Sequence, residues 1–517
     1  MNSLSQQLLI GQALKYAAHY NPNKEAFVYQ EKRVTYQQLL NRATHLAGWL
    51  QKQGVKKDTK VGFLLKNSLA LVEVYFGIGL TEGVCVPVNF RLVPSEIEYI
   101  VNNSDIQILF IDFEYIEIIQ SIRGKLPKVE TIIVVEANQE LKKFEMVDYE
   151  SIFEMPVNYL PSKTQNDNDA HVIVYTSGTT GRPKGAVLTH KNIYMQSLNR
   201  MASLKKNQYI KVLIVPPLFH IAALTLLVTI CLQEGTGVVH REFQPENILR
   251  TIQNEKIEYL FLVPAMWNFL LHSPNLMEFD ISTMKKCATG GAICPLELKK
   301  KILKVFYNAE LYESFGQTES LQVTYLDPKD SLRKTSSVGK ASVNVRIRIV
   351  DNEMNDVPIG DIGEIVYQGP TIMKEYYKNP KATKEAFKGG WFHSGDLVRM
   401  DEEGFIYIID RKKDMIISGG ENIYPAELEE VLYSHPDIIE AAVVGIPDPE
   451  WGESVKAYIV TRNNNLNEEE VIEYCQTKLA SYKKPRFVEF LEALPRNASG
   501  KVLKVLLRQN KQQKNLI

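Results

Sequence analysis

Residues 172–185 read Val-Ile-Val-Tyr-Thr-Ser-Gly-Thr-Thr-Gly-Arg-Pro-Lys-Gly. The opening Val172–Tyr175 is a short apolar run of the kind that forms a buried strand. The next residues join Gly178 and Gly181 to the hydroxyls of Thr176, Ser177, Thr179 and Thr180, and then to Lys184. Glycines let a loop turn tightly and bring backbone N–H groups close to an anion. Hydroxyls donate to phosphate oxygens, and a lysine adds a point charge. A polyphosphate suits this chemistry. The loop is not a Walker A loop, which spaces its glycines more widely and places Ser or Thr after its lysine. Here two residues separate Gly178 from Gly181, and Gly185 comes directly after Lys184.

On either side of this loop the chain alternates helical and strand patterns. Thr35 to Gly54 predicts a helix: Thr35 and Gln38 form a capping box, Leu39, Ala43, Leu46, Ala47 and Leu50 recur at helical spacing, and Gly54 stops it. Val61–Leu65, Ile108–Ile111, Ile132–Val135, Val212–Val215 and Tyr259–Val263 read as further buried strands. Strands alternating with helices predict an α/β fold with a mostly parallel, helix-covered sheet. From about residue 338 the texture changes. Val343–Val350 and Gly363–Tyr367 are short strand patterns broken by Gly, Pro, Asp and Asn, as in a small β-rich subdomain. After a charged break at 410–414, the last stretch reads as its own α+β unit. It has a helix at Pro425–Leu432, strands at Ala441–Gly445 and Val455–Val460, and a helix opened by Asn467 and Glu470 that runs through Val471, Cys475 and Leu479. The expected division is 1–410 and 411–517.

Composition narrows the class. Hydrophobic residues make up 45% and charged residues 23% of 517, which is ordinary for a globular chain and rules out wholesale disorder. Lys and Arg total 60 against 61 Asp and Glu, a net charge of -1, which argues against holding nucleic acid by bulk charge. The five cysteines form no CxxC and stand with no histidines at zinc spacing, which points to a reducing compartment. The N-terminus lacks the pattern of a signal peptide. The longest mostly apolar run, Ile221 to Leu232, is far short of the ~20 residues of a membrane span, so a cytoplasmic protein is expected. Lys504, Arg508, Lys511 and Lys514 beside Val502, Leu503, Val505, Leu506 and Leu507 allow at most a peripheral membrane contact. A packed helix end with a solvated face is the expectation.

Seven further segments accompany the phosphate loop in order: Pro217-Leu-Phe-His220, Gly290-Gly-Ala292, Phe315-Gly-Gln-Thr-Glu319, Trp391-Phe-His-Ser-Gly-Asp396, Asp410-Arg-Lys-Lys-Asp414, Ser418-Gly-Gly-Glu-Asn-Ile-Tyr-Pro425 and Pro495-Arg-Asn-Ala-Ser-Gly-Lys501. Together they resemble the adenylate-forming superfamily over almost the whole chain, with the nearest likeness to bacterial fatty-acyl-CoA and aryl-CoA ligases. The resemblance implies a large N-terminal domain with a β-rich subdomain and a small mobile C-terminal domain. It implies a reaction in which ATP and a carboxylate give an acyl-adenylate and pyrophosphate, after which the thiol of coenzyme A attacks. A medium- or long-chain fatty acid is the first substrate class. Aryl acids, o-succinylbenzoate among them, are the alternative, as is delivery to a carrier protein. A catalytically silent nucleotide binder is remote, because Lys184, Glu319 and Lys501 are all present.

The same resemblance implies the roles. Glu319 would hold Mg²⁺, with Thr318 touching phosphate, and Phe315 would lie against the adenine opposite Gly291 and Ala292. Asp396 would accept the ribose hydroxyls, and Arg411 would contact ribose or phosphate. Lys501 would bridge the α-phosphate and the carboxylate. His220 and Gly290 would border the carboxylate pocket. Lys413 would be the hinge, and Ser418, Gly419 and Gly420 would line the channel for coenzyme A. A homodimer is common among such proteins.

Overall fold

The computed structural model describes residues 7–136, 145–176, 182–204, 210–418, 421–463, 465–496 and 502–509. The fold is mixed α/β, with a large unit and a smaller one. The large unit comprises 1–347 and 367–392, the smaller 348–366 and 393–517.

The large unit contains two strand systems. One has the order Glu375–Tyr376, Lys184–Thr189, Ala170–Thr176, Val84–Pro87, Lys60–Leu64, Ile106–Asp112, Thr131–Val135, Val147–Asp148. Its central strands are parallel, as expected from alternating strands and helices. The strand Ala170–Thr176 departs from that pattern, because the next strand, Lys184–Thr189, returns beside it antiparallel. The strand Ala170–Thr176 is therefore followed by an antiparallel strand, whereas a Walker strand is followed by a helix. Side chains of Ile97, Ile100, Leu109, Ile111, Ile119 and Val134 form the core on this sheet. The other system runs in parallel from Glu25–Tyr29 through Thr236–Val239, Lys211–Ile214, Tyr259–Phe261 and Lys286–Gly290 to Glu310–Gln317, and then turns antiparallel into Leu321–Leu326. Trp267, Leu260, Ile302 and Leu311 are fully buried in its core.

Local sequence signals account for much of this. Thr35 caps the helix Tyr36–Lys52, with both arms of its box made to Gln38. Asn467 and Glu470 do the same for Glu468–Gln476. That helix stops at Gln476, so Leu479 falls beyond it, although its N–H still reaches Cys475 O at 2.9 Å. The expected strand Tyr259–Val263 ends at Phe261, because Pro264 opens the helix Pro264–Leu271 with Val263 as its N-cap. The expected strand from Val343 begins only at Arg346, because Asn344 takes a positive φ of 66°. The helix Ile221–Leu232 is buried along most of its length and packs as core. No helix among the described residues is long and apolar enough to cross a membrane.

In the smaller unit, Phe392–Met400 and Ile406–Arg411 form a hairpin. A second sheet pairs Ile438–Asp448 with Gly452–Thr461, and Ile416, Leu428, Val443, Ala457 and Val471 make its core. The terminal helix Lys504–Gln509 buries Leu507 and ties its basic residues down. Lys504 pairs with Glu429 at 2.7 Å, and Arg508 with Asp414 at 3.0 Å. All five cysteines are buried and free.

Candidate active site

Two neighbouring hairpins build the site in the large unit. Thr176 and Lys184 face each other at the mouth of the first, where Thr176 Oγ1 lies 3.5 Å from Lys184 O. The second joins Glu310–Gln317 to Leu321–Leu326 through a tight turn. Ser320 N–H donates to Gln317 O, and Gln317 N–H to Ser320 Oγ. That leaves Thr318 and Glu319 at the corner, both half-buried. Gly316 precedes the turn at a register shift, where a Cβ would come within 1.7 Å of Leu321 O, so only glycine fits. Phe315, half-buried, sits opposite Thr324. Gly290 ends the adjacent strand opposite Ser314. Gly291 then turns with φ 80°, a left-handed conformation that favours glycine and sets where Ala292 starts.

A residue that sequence reasoning missed joins these hairpins. Tyr376 donates its hydroxyl to Glu319 Oε1 at 2.8 Å. Lys184 Nζ lies 5.2 Å from the centroid of the same ring, within cation–π range. Nothing in Lys-Glu-Tyr-Tyr-Lys-Asn-Pro distinguishes Tyr376 from Tyr377. Its part becomes visible only through the pairing of Glu375–Tyr376 with Lys184–Thr189. Adjacent strand residues point to opposite faces, so Tyr377 goes elsewhere and donates to Asp105 Oδ2 at 2.8 Å.

The chemistry of the donor set fits Mg²⁺. Magnesium takes one or two carboxylates together with phosphate oxygens and water. Glu319 offers one carboxylate with a single oxygen engaged by Tyr376, and no donor among the described residues reaches the other oxygen. No group of three or more His, Cys, Asp or Glu among the described residues could cage a metal. Lys184 has no carboxylate partner among the described residues.

His220 stands at the N-cap of Ile221–Leu232 without making a side-chain cap bond, its ring 4.3 Å from that of Phe219. Burial, helped by the charge of Arg91, pushes its imidazole down to about 4, so it is neutral near pH 7.

The smaller unit carries its own cluster. Asp396 lies within a strand, after Gly395 at φ 71°, and is only 4% exposed. Arg411 stands opposite it in register, its Nε 2.7 Å from Asp396 Oδ1. Arg411 also donates to Ser394 O. Glu364 holds the turn from behind, accepting from Gly395 N–H, from Lys412 at 3.1 Å and from His393 at 3.2 Å. Lys413 is exposed in the turn 412–414. Asp410, beside Arg411, accepts Ala426 N–H at the start of Pro425–Tyr433. Ser418 pairs with Glu421 and Gly452 in the second sheet. Ser177, Gly178, Thr179, Thr180, Gly181, Gly419, Gly420 and Lys501 lie outside the described residues.

Comparisons with known proteins show the family of the chain. The AMP-binding enzyme family matches residues 14–377, and the AMP-binding enzyme C-terminal domain matches 427–501. A feruloyl-CoA synthase of Amycolatopsis sp is 34% identical over 496 residues, 95% of this chain and 97% of that protein. A long-chain-fatty-acid–CoA ligase of Mycobacterium tuberculosis is 34% identical over 510 residues, 97% of this chain and 98% of that one. Among solved structures, o-succinylbenzoate coenzyme A synthetase from Bacillus subtilis, in complex with ATP and magnesium ion, superposes with a TM-score of 0.85 at 29% identity, covering 97% of this chain and 99% of that one. The chain belongs to the AMP-binding enzyme family. Within it, the chain is an acid–thiol ligase of the acyl-CoA synthetase type.

Proposed function

We propose that this protein activates a medium- or long-chain fatty acid with ATP and transfers the acyl group to coenzyme A in the cytoplasm. The observation that carries the adenylating step is the pair of ligand-ready charges, Lys184 and Glu319, held at one tyrosine. The first step joins two anions, so the site must neutralise charge and hold the reactants in line. In this reading Lys184 and Thr176 bind the polyphosphate tail, together with the hydroxyls and backbone of Ser177, Gly178, Thr179, Thr180 and Gly181. Glu319 holds Mg²⁺, which when bound neutralises phosphate charge, and Thr318 adds a hydroxyl beside it. Phe315 and the Gly291–Ala292 turn flank the adenine. Asp396, fixed by Arg411, takes the ribose hydroxyls. Lys501 bridges the α-phosphate and the attacking carboxylate, so that pyrophosphate leaves as the acyl-adenylate forms. His220, neutral, borders the carboxylate with Gly290 as an uncharged ring.

For the second half-reaction, the domain from 411 onward turns about Lys413. Ser418, Gly419 and Gly420 then line the path of the thiol arm. Lys413→Pro is expected to slow thioester formation more than adenylation, and equal loss of both would remove the hinge reading. The fatty acid is favoured by the long-chain relative and by the likeness of the Ser418–Pro425 and Pro495–Lys501 segments. A second reading, an aryl acid, is favoured by the feruloyl-CoA synthase at the same identity. Incubating the protein with ATP and a panel of acids, each with and without coenzyme A, separates them. Thioester peaking at one chain length supports the first, and a peak with ring-bearing acids supports the second. Acyl-adenylate that never passes to coenzyme A would move the acceptor to a carrier protein.

A further inference from the structure

Lys184 and Glu319 come from different hairpins, and both meet Tyr376. The tyrosine is anchored by its own backbone. Its N–H donates to Thr383 Oγ1 at 3.0 Å, and its strand stands against Lys184–Thr189 with Tyr376 opposite Ala186. On either side, Tyr377 N–H donates to Gly185 O at 2.7 Å and Lys374 N–H to Val187 O at 2.9 Å. One residue further back, Met373 N–H donates to Glu319 O at 2.7 Å. The segment 373–377 is therefore bonded to the backbones of both hairpins, and the Tyr376 side chain is fixed between them.

We propose that Tyr376 is a positioning residue. Its hydroxyl sets the Glu319 carboxylate for a divalent cation, and its ring face sets the Lys184 ammonium for a polyphosphate. The inference rests on the assignment of Glu319 to metal and Lys184 to phosphate made above. A glutamate turns freely about its last torsion. A donor on Oε1 removes that freedom and presents the other oxygen in one direction. Loss of such an outer partner typically weakens metal binding by about 10–100-fold. The ring acts separately. It offers Lys184 an attractive surface that does not neutralise it, so the full charge remains for the ligand.

Because hydroxyl and ring do different work, two substitutions separate them. Tyr376→Phe keeps the ring and removes the donor, whereas Tyr376→Leu removes both. The experiment measures Mn²⁺ binding by the full chain through the electron paramagnetic resonance of free Mn²⁺, with a non-hydrolysable ATP analogue present. Binding of that analogue without metal is titrated alongside. Tyr376→Phe is expected to weaken Mn²⁺ by about tenfold or more and to leave metal-free nucleotide binding unchanged. Tyr376→Leu is expected to weaken both. Should Tyr376→Leu fail to fold, the phenylalanine variant carries the test alone. Mn²⁺ affinity unchanged in Tyr376→Phe but reduced in Glu319→Gln overturns the positioning role and spares the metal assignment. Affinity unchanged in both removes the metal assignment and the inference with it.

Discussion

The two clusters of charge on this chain are built on opposite plans. In the large unit, Lys184 and Glu319 are half-buried and neither meets an opposite charge among the described residues, since Tyr376 touches them with a ring and a hydroxyl. In the smaller unit, Asp396 is paired with Arg411 at 2.7 Å, and Glu364 collects Lys412, His393 and an N–H. The first cluster keeps its charges for something that arrives. The second uses its charges on itself and so holds its shape with nothing bound. Substitution in the first should cost activity with little loss of stability, and in the second it should cost stability as well.

The largest expected effect tests the first half of that contrast. Glu319→Ala or Lys184→Ala should lower kcat/KM for adenylation by about 10²–10³, as loss of a preorganised charge usually does. The melting temperature should hardly move, because no ion pair among the described residues is broken. A large fall in melting temperature in either variant would break the contrast. Next comes Arg411→Ala, which removes the guanidinium that pairs with nearly buried Asp396. Removing one partner of a buried pair costs roughly 3–5 kcal/mol, and the partial exposure of Arg411 places this case at the lower end. Urea unfolding measures it, and an unchanged midpoint would show that the pair is not structural.

The smallest effect sharpens the contrast by pH. Burial works to raise the Glu364 carboxyl, but the hydrogen bonds from His393, Lys412 and Gly395 N–H outweigh it and hold the group below its usual range. A carboxyl depressed in the fold adds stability above its unfolded pKa, and that stability is lost as pH falls through the folded value. Acid should therefore loosen this cluster below about pH 4.5. Glu364→Gln should flatten that part of the melting-temperature profile. Histidines make a second acid limb. Burial pushes His190 down to about 3 and His240 to about 4, so the unfolded chain takes up protons first, and stability declines from pH ~6.5 downward. The Tyr376→Phe measurement lies between these in size and belongs to the first plan.

Features written in consecutive residues were legible before the structure. The capping boxes at Thr35 and Asn467 formed as their spacing predicts. The parallel strands lie where the apolar runs lie. Strand ends were less legible, because a proline shortly beyond decides where Tyr259–Phe261 stops and a positive φ at Asn344 decides where Arg346–Val350 starts. The helix Ile221–Leu232 was legible as an apolar run, and its residues from Ile221 to Leu227 other than Ala222 are buried. Within the sites, Asp396 and Arg411 could be named from their motifs, but their direct pairing depends on hairpin register. Tyr376 was not legible at all, because its partner Glu319 is 57 positions away and only a two-residue strand brings them together.

That short strand has a consequence for how the chain can be altered. Tyr376 and Tyr377 alternate to opposite faces, one to Glu319 and the other to Asp105. Inserting or deleting a single residue in the segment would exchange their destinations, placing the wrong ring beneath Lys184 while every residue of the site remained. The spacing between Glu319 and Tyr376 can absorb change in the loops between them, but the step from Tyr376 to the strand it pairs with cannot shift by one.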